Sequence, residues 1–446
     1  MKTMRELAFL ALMSTAVSAS ATAISEGTKK PDWTRNAVIY EVNWRQSTDD
    51  GMITSLANNL EYYKELGVDI LWLMPINPIS VVNRKGELGS YYASQSYYEL
   101  NQELGVIDEF KKFVKKAHEL GMKVIIDWVA NHTGCDNIWL TSHPDWYVYE
   151  NGKLVSQWDW TDTYKLDYNN KEMRQGMINA MKFWVNECDI DGFRCDVAFL
   201  VPTDFWEDAR EQISQIKPVF MLAEASDAAL CNKAFDMVYN WPLLFLYDEI
   251  AKGKKDCSKI DSVVCAERDS FAIDSYQMNH ITNHDRNSWD GTEFERLGDG
   301  VKAFAVLDYV VPGMPLLYTG QEVGYNHRFE FFKRDTPAPL EKNEWYNFYK
   351  SLNNLKHTNA ALKAGTEGAP WKAYKTTAPT QALVCSRLFS DAGVVYVGNL
   401  SAQEVAFKLS EAPAGQYKNF FTGETVTIKK GMSIKMKPWE YMLLVK

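Results

Sequence analysis

The sequence is poor in the features that mark a nucleic-acid-binding, metal-cluster or membrane-embedded protein. Cations are outnumbered, with 48 Lys and Arg against 58 Asp and Glu, so the formal net charge is −10 and no basic tract offsets it. Phosphate backbones find no electrostatic footprint here, and nucleic acid is excluded as a partner. Cysteines are few and ill-spaced for a metal. There are seven, at 135, 188, 195, 231, 257, 265 and 385, with no CxxC pair and no histidine at zinc-finger spacing. Cys257 and Cys265 are spaced to close a small loop in the polar stretch 252–268, whereas the others lie in apolar patterns where a buried free thiol is expected. Because the count is odd, at least one thiol stays unpaired. No segment after the N-terminal run approaches the roughly 18 consecutive apolar residues of a membrane span. Low-complexity tracts and fixed-period repeats are absent too.

What is present is a large folded chain of 446 residues, long enough for more than one domain, with 46% hydrophobic and 24% charged residues. Aromatics reach 13%, including 15 Trp and 23 Tyr. Such rings either pack cores or form flat platforms for sugar rings. At the N-terminus, Lys2 and Arg5 precede an apolar run from Leu7 to Val17, followed by Ala19, Ala21 and Ala23, the three-part pattern of a cleavable export leader over residues 1–23. A membrane anchor is the rival reading, but the run is about half the length of a bilayer span and no lipid-bearing cysteine follows. The expectation is an exported protein, periplasmic or extracellular, without a membrane partner once the leader is removed.

From Val38 onward strand-like runs alternate with helix-period stretches, the signature of a parallel α/β sheet. The strand candidates are Val38–Trp44, Ile70–Pro75, Lys123–Trp128, Gly192–Val197, Val219–Ala223, Phe235–Tyr239, Met278–Thr282 and Pro315–Tyr318. Eight such strands predict a closed (β/α)8 barrel. Between them, apolar stripes such as Phe110, Phe113, Val114, Ala117 and Leu120, or Met177, Met181, Trp184 and Val185, recur at helical spacing. Residues of about 132–168 break the rhythm and read as an inserted subdomain after the third strand. Beyond a helix around Trp345–His357 the pattern changes to short alternating strands, including Leu383–Phe389, Val394–Val397 and Ile434–Val445. The expected organisation is therefore a barrel over 24–357 and a C-terminal all-β domain, a β-sandwich, over 358–446.

A barrel of this kind carries its chemistry at the carboxyl ends of its strands. Four of those ends are strongly polar: Asp127-Trp-Val-Ala-Asn131-His132, Gly192-Phe-Arg194-Cys-Asp196, Leu222-Ala-Glu224 and Thr282-Asn-His284-Asp285. Alternation along the fourth strand puts Arg194 and Asp196 on one face, into the barrel, and Cys195 on the other. A guanidinium beside a carboxylate favours its ionised form. Any one of these acids alone reads as a helix cap or salt-bridge partner. Several around one mouth repel each other, an arrangement that paired-carboxylate chemistry requires and stability does not. An ionised nucleophile beside a protonated acid is the equipment of glycoside hydrolysis.

The segments DWVANH, GFRCD, LAE and TNHD, in this order, resemble the four signature regions of the α-amylase family, glycoside hydrolase family 13. Met74–Pro78, Gly89-Ser-Tyr-Tyr92, Tyr318-Thr-Gly-Gln-Glu322 and the β tail extend the resemblance over most of the chain. It implies that Asp196 is the nucleophile, Glu224 the general acid/base and Asp285 the carboxylate that orients the sugar and stabilises the transition state. Arg194 would position Asp196, His132 and His284 would hydrogen-bond sugar hydroxyls, and Tyr92 would stack on the ring. Asp127 and Asn131 would support the local loop. Trp158 and Trp160 line subsites or pack the inserted segment.

The implied activity is that of a retaining α-glycosidase on α-glucans or maltooligosaccharides, cleaving α-1,4 bonds, with no cofactor needed for the chemistry. Transglycosylation on the same carboxylates is the alternative, and an inactive carbohydrate-binding barrel is the reading from another class; its mark would be a missing carboxylate, and none is missing. The chain also departs from the family. Val197-Ala-Phe-Leu200 stands where many α-amylases have a Lys-His pair that helps to hold calcium, and Ser96 stands where the family often has Asp. A structural calcium ion therefore stays open and its ligands unassigned: Asn131 and Asp167 offer oxygen, but fall short of the six to eight ligands the ion takes.

Overall fold

The computed structural model describes residues 24–446, so the leader expected over 1–23 lies outside the described residues. Eight parallel strands close into a barrel: Ile39–Val42, Ile70–Leu73, Lys123–Trp128, Gly192–Cys195, Phe220–Ala223, Met237–Tyr239, Tyr276–Asn279 and Met314–Tyr318. Each pairs with its sequence neighbour among these eight, and the first closes the ring against the last through Ile39–Leu316 and Glu41–Tyr318. Every residue of seven of the strands is buried, and on the third only Lys123, at its start, is partly exposed. The eight expected strands are therefore all present.

Strand periodicity sorts side chains into two layers. On the third strand Val124, Ile126 and Trp128 face the surrounding helices, while Ile125 joins the barrel interior with Ile39, Trp72, Phe220, Leu222 and Leu316. On the fourth, Phe193 and Cys195 pack outward. Arg194, between them, points inward, as the alternation requires. Gly192 begins that strand because nothing larger fits: its φ is 156° and a Cβ would lie 1.9 Å from the carbonyl oxygen of Phe220.

The helical stripes form the outer wall. The helix Lys171–Cys188 buries Met177, Met181, Trp184 and Val185. Its start is fixed by the Asn170 side chain, which accepts the amides of Glu172 and Met173 at 2.9 and 3.1 Å. Trp184 is fully buried and its Nε1 donates to the Tyr97 carbonyl at 2.7 Å, so truncation to Ala costs about 3–5 kcal/mol.

Two strand boundaries differ from expectation. The seventh strand runs over Tyr276–Asn279, because Met278 and Asn279 pair with Met314 and Pro315, and His280–Thr282 already leave the sheet toward the mouth. The tail run Ile434–Val445 is two strands, Ser433–Met436 and Tyr441–Val445. Trp439, at φ 57°, reverses the chain between them. Ser433–Met436 then pairs with Val405–Lys408 in a two-stranded sheet, and Tyr441–Val445 with Gly393–Asn399 in a six-stranded one. The two sheets enclose Val384, Val395, Phe407, Ile434 and Leu444, the core of the C-terminal β-sandwich.

Between the third and fourth strands the chain forms the antiparallel pairs His132–Gly134 with Thr163–Lys165 and Tyr149–Glu150 with Lys153–Leu154. The Cys257–Cys265 bridge is not formed. Cys257 caps and Cys265 lies within the helix Ser258–Ser270, eight residues apart on one helix and thus about 12 Å apart along its axis, beyond disulfide reach. All seven cysteines are free thiols, six buried and Cys265 half-buried. No helix among the described residues is long and apolar enough to cross a membrane.

Candidate active site

The ends of the third, fourth and fifth strands meet at one guanidinium. Arg194 is fully buried; its Nη1 donates to Asp127 Oδ1 at 2.8 Å and to Asp196 Oδ1 at 3.0 Å, and its Nε donates to Tyr239 Oη at 3.1 Å. Nη2 lies 2.9 Å from Glu224 Oε2 as an ion pair without the alignment of a hydrogen bond. Burial works against the charge on Arg194, but Asp127, Tyr239 and Glu224 outweigh it and hold the guanidinium ionised. One fixed cation thus faces three acids whose repulsion would otherwise open the mouth.

The acids respond differently. Burial pushes the Asp127 carboxyl up to about 6, against the pull of Arg194 and His284. Burial and the charge of Glu224 push Asp196 well above the usual carboxylate range, with Arg194 opposing. Glu224 Oε2 accepts the Val197 amide at 2.7 Å.

A second group of residues closes the mouth from the seventh strand and the long loop after the second. Tyr92 Oη lies 2.7 Å from His284 Nε2 and donates to Asp127 Oδ2 at 3.2 Å, which also accepts Trp72 Nε1 at 3.2 Å. Asp285 Oδ2 lies 3.4 Å from His284 Nε2, and its side chain, 20% exposed, reaches the opening. His284 is raised to about 9: burial disfavours its charge, but Asp285 and Glu41 outweigh it. The Tyr92 ring lies 12° from parallel to Phe331, with centroids 6.3 Å apart.

Arg194, Asp196, Glu224, Tyr92, His284 and Asp285 are thus joined in one contact network. His132 stands at its edge. Its Nδ1 meets Asn131 Nδ2 at 3.1 Å, its ring lies 5.2 Å from Trp160, and burial lowers it to about 4, leaving the imidazole neutral. Trp158 packs edge-on against Trp160 at 4.8 Å and is 41% exposed. In the departure segment, Phe199 is exposed and touches Trp241 edge-on at 6.4 Å.

Asp127 was expected to support a loop and instead stands inside the network, because the alternation that turns Ile125 inward turns Asp127 inward as well. Glu41, on the first strand, was missed: its Oε1 lies 2.5 Å from His284 Nδ1. Its one signal was a charged residue inside the apolar run Val38–Val42. Asp167 Oδ1 is taken by the amide and side chain of Asn169, and among the described residues no three His, Cys, Asp or Glu gather as metal ligands.

A closed barrel with carboxyls gathered at its strand ends is an arrangement suited to glycoside hydrolysis, and comparison supplies the family. Residues 34–345 match the family described as the α-amylase catalytic domain, and the chain belongs to it. It is similar to the crystal structure of a noncanonic maltogenic α-amylase from Thermotoga neapolitana, at 30% identity and a TM-score of 0.84 over 92% of this chain and 98% of that one. An α-amylase from Lactobacillus plantarum is similar at 29% identity and a TM-score of 0.83, over 93% and 99%. A cyclomaltodextrinase from Thermoanaerobacter pseudethanolicus is 26% identical over 75% of this chain and 66% of its own length. The chain spans just under two thirds of that relative.

Proposed function

We propose that the protein is a retaining α-glycoside hydrolase acting on α-glucans and maltooligosaccharides at α-1,4 bonds. The observation that carries this reading is the single guanidinium of Arg194 shared by Asp196 and Glu224 at the ends of adjacent strands. Asp196 attacks the anomeric carbon, and Arg194 Nη1 steadies the carboxylate for attack. Glu224 protonates the leaving oxygen, then takes a proton from the incoming water. Oε2 of Glu224 already accepts the Val197 amide and faces Arg194, so Oε1 is the oxygen left to carry that proton. Asp285, partly exposed beside His284, faces the sugar and stabilises positive charge developing on its ring. His132, His284 and Tyr92 line the same opening as sugar contacts.

Substrate class is supported by the names of the relatives, which include maltogenic α-amylase, cyclomaltodextrinase and neopullulanase. Time-resolved product analysis on starch, pullulan, maltotriose and panose tests it. Reducing ends released from starch or maltotriose are the expected result; inertness of the purified chain on all four would defeat the reading.

A further inference from the structure

Glu41 is fully buried on the first barrel strand, and both its oxygens turn to one residue. Oε1 lies 2.5 Å from His284 Nδ1, and Oε2 accepts the His284 backbone amide at 3.3 Å. On the far side of the imidazole, Nε2 lies 2.7 Å from Tyr92 Oη, and the chain of contacts continues through Asp127 to Arg194 and Asp196. The network therefore links a strand on one side of the barrel to the carboxylate at the reacting end of another.

The direction of each hydrogen bond along this chain follows from what its members can do. Arg194 only donates, and ionised Asp127 only accepts. Tyr92 has one proton, and if it donates to Asp127 it must accept from His284, so Nε2 carries a hydrogen. Nδ1 faces a carboxylate at 2.5 Å and carries one as well. Every member is satisfied when the proton between Glu41 and Nδ1 sits on the imidazole, which makes His284 doubly protonated; with that proton on Glu41 the same contacts would hold a neutral imidazole. Were His284 neutral with its proton on Nδ1, Nε2 would claim the tyrosine proton and Asp127 would lose its bond from Tyr92.

We infer that Glu41 is a positioning residue that keeps His284 a cation, so that Nε2–H polarises Tyr92 toward Asp127 and a fixed positive charge stands beside Asp285. This deepens the proposed function and rests on it only for the sugar chemistry. The groups facing His284 divide by sign. Glu41, Asp285 and Asp127 favour its charge, whereas Arg194 opposes it and His280, lowered to about 3 by burial, brings no charge. Trp72, edge-on at 6.0 Å, brings none. Tyr318, from the last strand, lies near both Glu41 and Asp285 as a neutral phenol. Of the favouring acids, Glu41 is the one hydrogen-bonded to a ring nitrogen.

The experiment is a nitrogen-15 NMR titration of the imidazoles in the full chain, which has seven histidines, with a His284→Asn sample for assignment. Wild-type His284 should carry hydrogens on both nitrogens through pH 8, and in Glu41→Gln its titration should fall by about one pH unit or more. The alkaline limb of kcat/KM on a maltooligosaccharide should move the same way. A neutral His284 at pH 7 in the wild type overturns the inference, and so does an unchanged titration in Glu41→Gln. A variant that does not fold leaves the wild-type measurement to decide. A uniform loss of activity with an unmoved pH profile would reduce Glu41 to a structural role and overturn the inference too. A charged His284 in a chain inert on α-glucans would defeat the proposed function and leave the charge assignment standing.

Discussion

The amide of Val197 donates a 2.7 Å hydrogen bond to Oε2 of Glu224, across adjacent barrel strands. To do so Val197 adopts φ 36° and ψ 45°, a left-handed conformation that β-branched residues rarely occupy. The residue after Asp196 is thus held in a strained turn while it aims a donor at the neighbouring acid, a pattern that gathers at functional sites. With Oε2 fixed as an acceptor, the proposed acid role of Glu224 falls to Oε1.

That division of labour predicts different failures for two near-isosteric substitutions. On the proposed roles Asp196→Asn removes the nucleophile, so no glycosyl-enzyme should form and every substrate should be affected. Glu224→Gln removes only the proton, so starch cleavage should fall by about 10²–10⁴, while a glycosyl fluoride, whose leaving group needs no proton, should keep a measurable first step. Parallel rate measurements on starch and the fluoride decide. Equal losses on both in the Glu224 variant, without an accumulated intermediate, would sink the acid assignment.

The sequence made the fold readable because the barrel repeats one simple pattern. Buried strands read as apolar runs, and the helices between them as stripes such as Met177, Met181, Trp184 and Val185. Carboxylates at strand ends stood out too: Glu224 follows the apolar run Val219–Ala223, Asp196 comes directly after Gly192–Cys195, and Asp285 after the polar segment Thr282–His284. What escaped depends on closure in three dimensions. Asp127 acquires its place from the pairing of Asp127 with Arg194 in register. Glu41 reaches His284 only because the first strand joins the last, 243 residues away in sequence from its partner. The division of Ile434–Val445 depended on a reversal at Trp439 that places consecutive strands in different sheets.

Burial elsewhere sets a pH dependence of stability. Glu267, in the helix Ser258–Ser270, is raised to about 8 by burial, against one hydrogen bond from Asn240, and its Oε1 has no partner. The folded chain therefore keeps a proton that the unfolded chain releases above the ordinary glutamate range. The contribution to stability is full below that range and is lost as pH rises through about 8, at about 1.4 kcal/mol per pH unit in between. Glu267→Gln removes the ionisation, so its stability advantage should widen from pH 5 to pH 8. Denaturant melts of both proteins across this window test it; parallel curves would show that Glu267 does not titrate in the fold.

Seven thiols should be titratable once the chain is unfolded, since no two cysteines are bridged. In the native state the buried thiols should be inert and Cys265, half-buried, the first to react. A thiol reagent counted by mass spectrometry before and after denaturation reads both numbers. Fewer than seven additions in denaturant without reductant would reveal a disulfide.

The stereochemical outcome follows from strand register. In the parallel pair, Arg194 is opposite Leu222 and Cys195 opposite Ala223. Asp196 and Glu224 are therefore the next opposing pair, and the Glu224 amide donating to the Cys195 carbonyl at 3.0 Å continues the ladder to that point. Neighbouring strands stand about 4.8 Å apart. Two inward carboxyls on such a pair, both in reach of one guanidinium, face a sugar across about 5–5.5 Å, too little for the water an inverting enzyme places between them. In the proposed double displacement, attack by Asp196 inverts the anomeric carbon and water activated by Glu224 inverts it again. An α-linked maltooligosaccharide should therefore release an α-anomer first, visible by proton NMR before mutarotation. A β-anomer as the first product would refute the pairing of Asp196 with Glu224 and the double displacement built on it.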